Sequence, residues 1–340
     1  MTKEYWEKYA DELQKELIFK FWNDEKAILN AWDNKPYEES QTLMYWWYAH
    51  AVDNWVDAFD RTGKEEYKER LTTLIESTKK YNGQTLINNY YDDMEWMALA
   101  QLRMYEITKD DYYKNYVIEL WEDIKTAWND HMGGGMAWKK DQLDYKNTPA
   151  NAPASILGAR MYKSFGNVED LQWSKKIYEF NKAVLVNETG FVEDGINRLG
   201  DGKIDSDWKF TYCQGVFIGA ATELYEITNE DIYLLDAQKT INATFDQLVD
   251  GKTGMLPDEG GDDCGLFKGI LVRYLALYYS RYGDEKIKDT LIKNAEVMKK
   301  HLDDQPNKII GTSWEMPQEH SQLATYLSGI MLVEAFASIK

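Results

Sequence analysis

One stretch of twelve residues occurs twice in this chain. LRMYEITKDDYY at 102–113 returns as TELYEITNEDIY at 222–233, with a shared Tyr-Glu-Ile-Thr step, an acidic pair and a closing Tyr at identical spacing. A repeated turn implies a repeated supersecondary unit. Looser versions, a small residue followed by acids, stand at 60–67 (DRTGKEEY), 163–170 (KSFGNVED) and 280–287 (SRYGDEKI). Each lies between segments whose apolar residues recur at helical spacing. Intervals of roughly 45 to 60 residues fit one long helical hairpin each.

The two arms of each hairpin differ. Before the turn comes a segment rich in small and apolar residues, such as GVFIGAATELY (215–225), ASILGARMY (154–162) or QLATYLSGIMLVEAF (322–336). After it comes an amphipathic one, such as KNYVIELWEDIKTAW (114–128). The first kind is expected inside and the second outside. Counting a first hairpin made of EYWEKYADELQKELIFKFW and LMYWWYAHAVDNWVDAFD gives about six pairs, with few period-two strands. The expected fold is all-α, an (α/α)6 barrel of six inner and six outer helices, with residues 1–340 as a single domain. An open superhelical stack is the alternative for any helical repeat. Long connections at 130–153 and 185–214 argue against it, because such loops are uncommon unless functional. They follow outer helices and precede inner ones, so their tips are expected at one end.

Composition narrows the partners. Lys plus Arg is 39 against 58 for Asp plus Glu, and a net charge of -19 repels phosphate backbones and anionic lipid. No nucleic acid or membrane partner is expected, and a monomer is. The 44% hydrophobic content is enough for a core and excludes disorder. Two cysteines, Cys213 and Cys264, make neither a disulfide framework nor a four-ligand zinc site. His50, His131, His301 and His320 have no metal-ligand spacing, and NRLGDGKIDSD (197–207) lacks the ligand pattern and closing Glu of a calcium loop. No metal is expected. The amino end, MTKEYWEKYADELQKEL, is an acidic amphipathic helix rather than a signal h-region. As written it predicts a cytoplasmic protein, or an extracellular one if a signal peptide has been removed.

Registering the two repeats on Tyr-Glu-Ile-Thr sets Asp92-Asp93-Met94 opposite Tyr212-Cys213-Gln214, with Asn151-Ala152-Pro153 and Phe267-Lys268-Gly269 at about the same height. Four inner helices thus begin with residues unsuited to a core. The sharpest element is NNYYDDMEWMALA (88–100). Asp92 with Glu95 three residues on has the form of a capping box, and acids at a helix start suit the dipole. A cap, however, needs neither a second acid nor three flanking rings. Glycoside hydrolysis does need two carboxyl groups, roughly 5 Å apart for retention, and close acids couple so that one ionises while the other keeps its proton. Adjacency favours retention. Tyr91, Trp138, Tyr212, Phe267 and Trp314 are candidate platforms for pyranose rings. Asn89, Asn151, Gln214, Lys268 and Arg273, with Asp205 and Asp207, are candidate partners for sugar hydroxyls.

Five motifs in order, YYDDMEWMALA (90–100), GGGMAW (133–138), NAPASILGARMY (151–162), WKFTYCQGVFIGAA (208–221) and FKGILVRYL (267–275), resemble glycoside hydrolase family 76, the endo-α-1,6-mannanases. The resemblance covers most of the chain. It implies an (α/α)6 fold, cleavage of α-1,6-linked mannan or manno-oligosaccharides with retention, no cofactor, Asp92 as nucleophile and Asp93 as acid/base. Cys213 departs from the family, which commonly carries Asn there, and the absence of a secretion signal is a second departure. Similarity to fungal wall relatives also leaves transglycosylation open. The rival readings are a sugar epimerase using His50 and His320, and a non-catalytic glycan-binding protein.

Overall fold

The computed structural model describes residues 2–33, 43–305, 307–316 and 318–339. In chain order its helices are α1 (Lys3–Phe21), α2 (Tyr45–Thr62), α3 (Glu65–Tyr81), α4 (Tyr91–Thr108), α5 (Asp111–Ile124), α6 (Thr148–Phe165), α7 (Val168–Leu185), α8 (Thr211–Thr228), α9 (Asp231–Gln247), α10 (Phe267–Tyr282), α11 (Glu285–Asp303) and α12 (Leu323–Ile339). Short strands are β1 (Trp22–Asn23), β2 (Ile28–Leu29), β3 (Ala137–Lys139), β4 (Gln142–Asn147) and β5 (Gly195–Ile196).

The repeated sequence is a repeated turn in atomic detail. After α4, Lys109 takes a left-handed conformation (φ 57°) and its N–H returns to the Tyr105 carbonyl at 2.7 Å. After α8, Asn229 does the same (φ 54°) onto Tyr225 at 2.8 Å. In both, the Thr ending the helix accepts from the next acid's N–H, Thr108 from Asp110 and Thr228 from Glu230. Gly63, Gly166 and Gly283 occupy the same position in the looser turns, all at positive φ, where glycine carries no Cβ penalty.

Two compact units divide the chain. In the unit of residues 86–248, α6 packs on α4, α7 and α8, while α5 lies on α4 and α9 on α8. Every α8 residue from Thr211 to Leu224 is buried, whereas α5 buries a stripe of Tyr113, Val117, Leu120, Trp121 and Ile124. Burial thus follows the contrast between the arms. The connections before α6 and α8 come together as a three-stranded antiparallel sheet, β3-β4-β5, with Asn147 opposite Gly195. That sheet is absent from the sequence pattern because its strands are short, the β3-β4 hairpin is irregular in register, and β5 pairs with β4 from about fifty residues away.

The other unit holds residues 1–85 and 249–340. Here one expected pairing changes. α1 packs on α12, Trp6 meeting Phe336 edge-on at 4.6 Å, and α2 pairs with α3 across Gly63. No helical turn follows α1; the β1-β2 hairpin stands there instead. The buried Glu334 of α12 takes both Arg61 Nε and Nη2, at 2.8 and 2.9 Å, and Gln14 Nε2 at 3.0 Å.

Candidate active site

Helix α4 begins at Tyr91, with Tyr90 as its extended cap residue and no capping side chain. Asp92 and Asp93 are therefore its second and third residues, and the capping box does not form. Both are half-buried. One Asp92 oxygen accepts from the Trp138 indole N–H (3.1 Å) and the other from the backbone N–H of Asp93 (3.1 Å). Asp93 Oδ2 accepts from the Asn88 amide at 2.9 Å. Both carboxylates lie in the first helical turn, where the dipole favours negative charge. One turn below, Glu95 is fully buried and neither of its oxygens has a hydrogen-bond partner of ordinary geometry. Burial, then the Asp92 charge, hold Glu95 well above the usual carboxylate range, with the Ala154 backbone N–H a partial offset.

The sheet delivers Trp138 to this pair. Its first strand is bound to the start of α4 by the Lys140 N–H on the Asn89 carbonyl (2.9 Å) and by the Tyr90–Lys139 bridge. The glycine run before it passes under Phe180, whose ring would lie 2.3 Å from a Cβ on Gly135, also at φ 85°. Buried Lys146 donates to the Gly135 carbonyl at 2.8 Å, and burial pushes its ammonium down to about 8. Asn151 completes the hold: it accepts from the Met136 N–H (2.8 Å) and donates to the Met136 and Asn147 carbonyls. Trp138 is flanked edge-on by Tyr90 at 5.2 Å and Tyr145 at 5.7 Å.

Behind Tyr145 lies a residue the motifs did not single out. Asp194 is almost wholly buried and takes the Tyr145 hydroxyl on one oxygen (2.9 Å) and the Tyr212 hydroxyl on the other (2.8 Å). Burial pushes this carboxyl up, opposed by those two phenols and by the Cys213 thiol 3.6 Å away. The departure at Cys213 therefore faces Asp194. Gln214 repeats the Asn151 device at the same helical position, accepting from the Val192 N–H and donating to the Val192 and Phe210 carbonyls. Register places Asn151, not its neighbours, level with Met94 and Gln214, each the fourth residue of its helix.

The other expected residues divide between contact with this cluster and work elsewhere. Asn88 and Tyr90, rather than Asn89 and Tyr91, meet the aspartates and Trp138. Asn89 is exposed, with Asp141 as its side-chain partner, and Tyr91 is buried with its hydroxyl 3.1 Å from Thr126. Asp205 is paired with Arg198 at 3.1 Å and Asp207 is exposed. In the other unit, Phe267 opens α10 beside Trp46, their centroids 6.4 Å apart. Lys268, expected to meet sugar, donates to the Pro257 and Thr312 carbonyls, sits 4.5 Å over the Trp314 ring, and is pushed down to about 8 by burial. Trp314 is itself buried. Arg273 is taken up by Asp53 (3.0 Å) and Asp57 (2.7 Å). Among the described residues no cluster of three or more His, Cys, Asp or Glu is placed to hold a metal ion.

Two neighbouring carboxylates thus stand beside a tryptophan that two tyrosines flank, the groups that glycoside hydrolysis uses. The Lin0763 protein of Listeria innocua superposes with a TM-score of 0.92 at 39% identity, covering 98% of this chain and 97% of that one. The GH76A α-1,6-mannanase of Salegentibacter sp. HEL1_6 does so at 0.91 and 36% identity, covering 98% and 100%. An inactive variant of that mannanase, with two neighbouring aspartates changed to asparagine, has been seen with α-1,6-mannotriose. The mannan endo-1,6-α-mannosidase DCW1 of Saccharomyces cerevisiae is 26% identical over 159 residues, 44% of this chain and 35% of its own length. The fold class is the all-α (α/α)6 barrel that the repeats predict. With residues 5–337 matching the family described as Glycosyl hydrolase family 76, the chain belongs to that family.

Proposed function

We propose that the protein hydrolyses α-1,6-mannosidic linkages within mannan or manno-oligosaccharides, with retention, using Asp92 and Asp93. The observation that carries this reading is the placing of two neighbouring half-buried carboxylates in the first turn of α4, with the Trp138 indole on one of them. Asp92 accepts from the Trp138 indole and from the Asp93 N–H, and Asp93 accepts from the Asn88 amide, so both are held at the start of α4. Asp92 attacks the anomeric carbon as Asp93 protonates the departing glycosidic oxygen; Asp93 then takes a proton from water, whose oxygen displaces Asp92. The double-aspartate variant of the Salegentibacter mannanase, inactive and bound to α-1,6-mannotriose, supports the same pair.

Digestion of α-1,6-, α-1,2- and α-1,3-mannans tests the linkage, product size tests endo action, and the anomeric configuration of the first product tests retention. Asp92→Ala abolishes cleavage on this reading, and intact activity in that variant sinks it. Asp93→Ala spares an activated aryl mannoside more than mannan, because a good leaving group needs less protonation. A longer product in the presence of acceptor sugar would instead mark transfer. The epimerase reading is weakened by its histidines: His50 is buried and pushed down to about 3, chiefly by burial, and His320 pairs with Asp33 at 3.4 Å.

A further inference from the structure

Asn88, just ahead of α4, has every polar group of its side chain committed. Its Oδ1 accepts the Tyr90 N–H at 3.2 Å, an Asx turn that leads into the extended cap residue of the helix. Its backbone N–H points at the sulfur of buried Met94, 3.2 Å away. What is left, Nδ2, donates to Asp93 Oδ2 at 2.9 Å. Flipping the amide would set its oxygen against the carboxylate and its NH2 against the Tyr90 N–H, so the network itself fixes which end faces Asp93.

The turn alone does not call for asparagine. Aspartate, serine or threonine accepts a backbone N–H in the same way. Aspartate would even keep the shape, but it would put another negative charge beside Asp93. Asparagine makes the turn and also supplies a neutral donor to the carboxyl group. The backbone on its far side is pinned as well, because the Lys140 N–H holds the Asn89 carbonyl at 2.9 Å and Tyr90 bridges Lys139. The donor is thus held in place before any substrate arrives.

We propose that Asn88 is a positioning residue for proton transfer, acting through Asp93. As the glycosidic C–O bond breaks, Asp93 gives its proton to the departing oxygen and is left as a carboxylate. The Asn88 N–H then faces a charged acceptor where it had faced a neutral one, and such a bond is the stronger. Because the contact strengthens along the reaction, it lowers the barrier rather than merely tightening binding. The inference rests on the mannanase reading, with Asp93 as acid/base.

Asn88→Asp and Asn88→Ala test it. Asn88→Asp keeps the acceptor for the Tyr90 N–H, so its melting temperature stays close to that of the wild type. In both variants kcat/KM on α-1,6-mannan falls about ten- to a hundredfold, the worth of a hydrogen bond to a charged group. On an activated aryl mannoside it changes by less than about threefold, since that leaving group needs little protonation. NMR of the Asp93 carboxyl carbon, assigned with Asp93→Asn, shows it titrating at higher pH in both variants. Mannan cleavage unchanged in Asn88→Asp overturns the role, and so does an equal loss on both substrates, which would make Asn88 only a loop residue. If the wild type cleaves no mannan, the mannanase reading fails, and the titration alone then decides: an Asp93 curve that does not move in Asn88→Ala overturns the positioning.

Discussion

Glu95 shows how much a single residue's meaning depends on the fold around it. In the sequence it completes a capping motif with Asp92; in the structure it is a buried carboxyl beneath Asp92 with no capping role. Because its folded-state affinity for a proton is raised above the ordinary 4.5, the folded chain keeps a proton that the unfolded chain releases. The stabilisation from this group is full below about pH 4.5 and declines as pH rises above it, by up to about 1.4 kcal/mol per unit. Glu95→Gln removes this dependence. Urea unfolding at stepped pH should show the variant gaining on the wild type from pH 5 upward, and parallel curves would refute the neutral carboxyl. Asp92, Asp93 and Trp138 were legible because sequence motifs carry them. Asp194 was not, since its role exists only once Tyr145 and Tyr212 fold onto it from 49 and 18 residues away. The shift from Asn89 and Tyr91 to Asn88 and Tyr90 has a similar origin: where a helix begins decides which neighbour turns inward.

At the scale of elements, the hairpins were readable from their turns and the sheet was not. Each helical turn is local, so its residues declare it; β3 and β4 form a hairpin irregular in register, β5 joins it by distant pairing, and a lysine and two amides act on the main chain around them. Lys109 gives this scale its prediction. It holds a left-handed conformation that the turns at Gly63 and Gly166 assign to glycine, at a cost of about 1 kcal/mol. Lys109→Gly should therefore stabilise the protein by roughly 0.5–1 kcal/mol, raising the thermal midpoint by a few degrees without altering kcat. A lower midpoint would show that the Lys109 ammonium over the Tyr105 ring, 5.2 Å away, matters more than backbone strain. Lys268 and Arg273 mark the opposite limit of element-level reading. Both stand in a motif of the family, yet their charges are committed to loop carbonyls and to Asp53 and Asp57.

For the molecule as a whole, the chain crosses between its two compact units twice, near residues 85 and 248, and one unit is assembled from both ends of the sequence. We propose that residues 1–340 nonetheless behave as one domain. Scanning calorimetry should then give a single transition whose calorimetric and van't Hoff enthalpies agree, whereas two separable transitions would divide the domain. The net charge of -19 argues against phosphate-bearing partners but says nothing of a sugar, whose argument comes from rings and paired acids. The amide clamps carry a last consequence. Asn151 and Gln214 grip Met136 and Val192 only through N–H and C=O, which every residue except proline supplies alike. Such a grip is blind to side chains. The exposed side chains of the connections into α6 and α8 can therefore change by mutation while the helices beneath keep the same hold on the backbone.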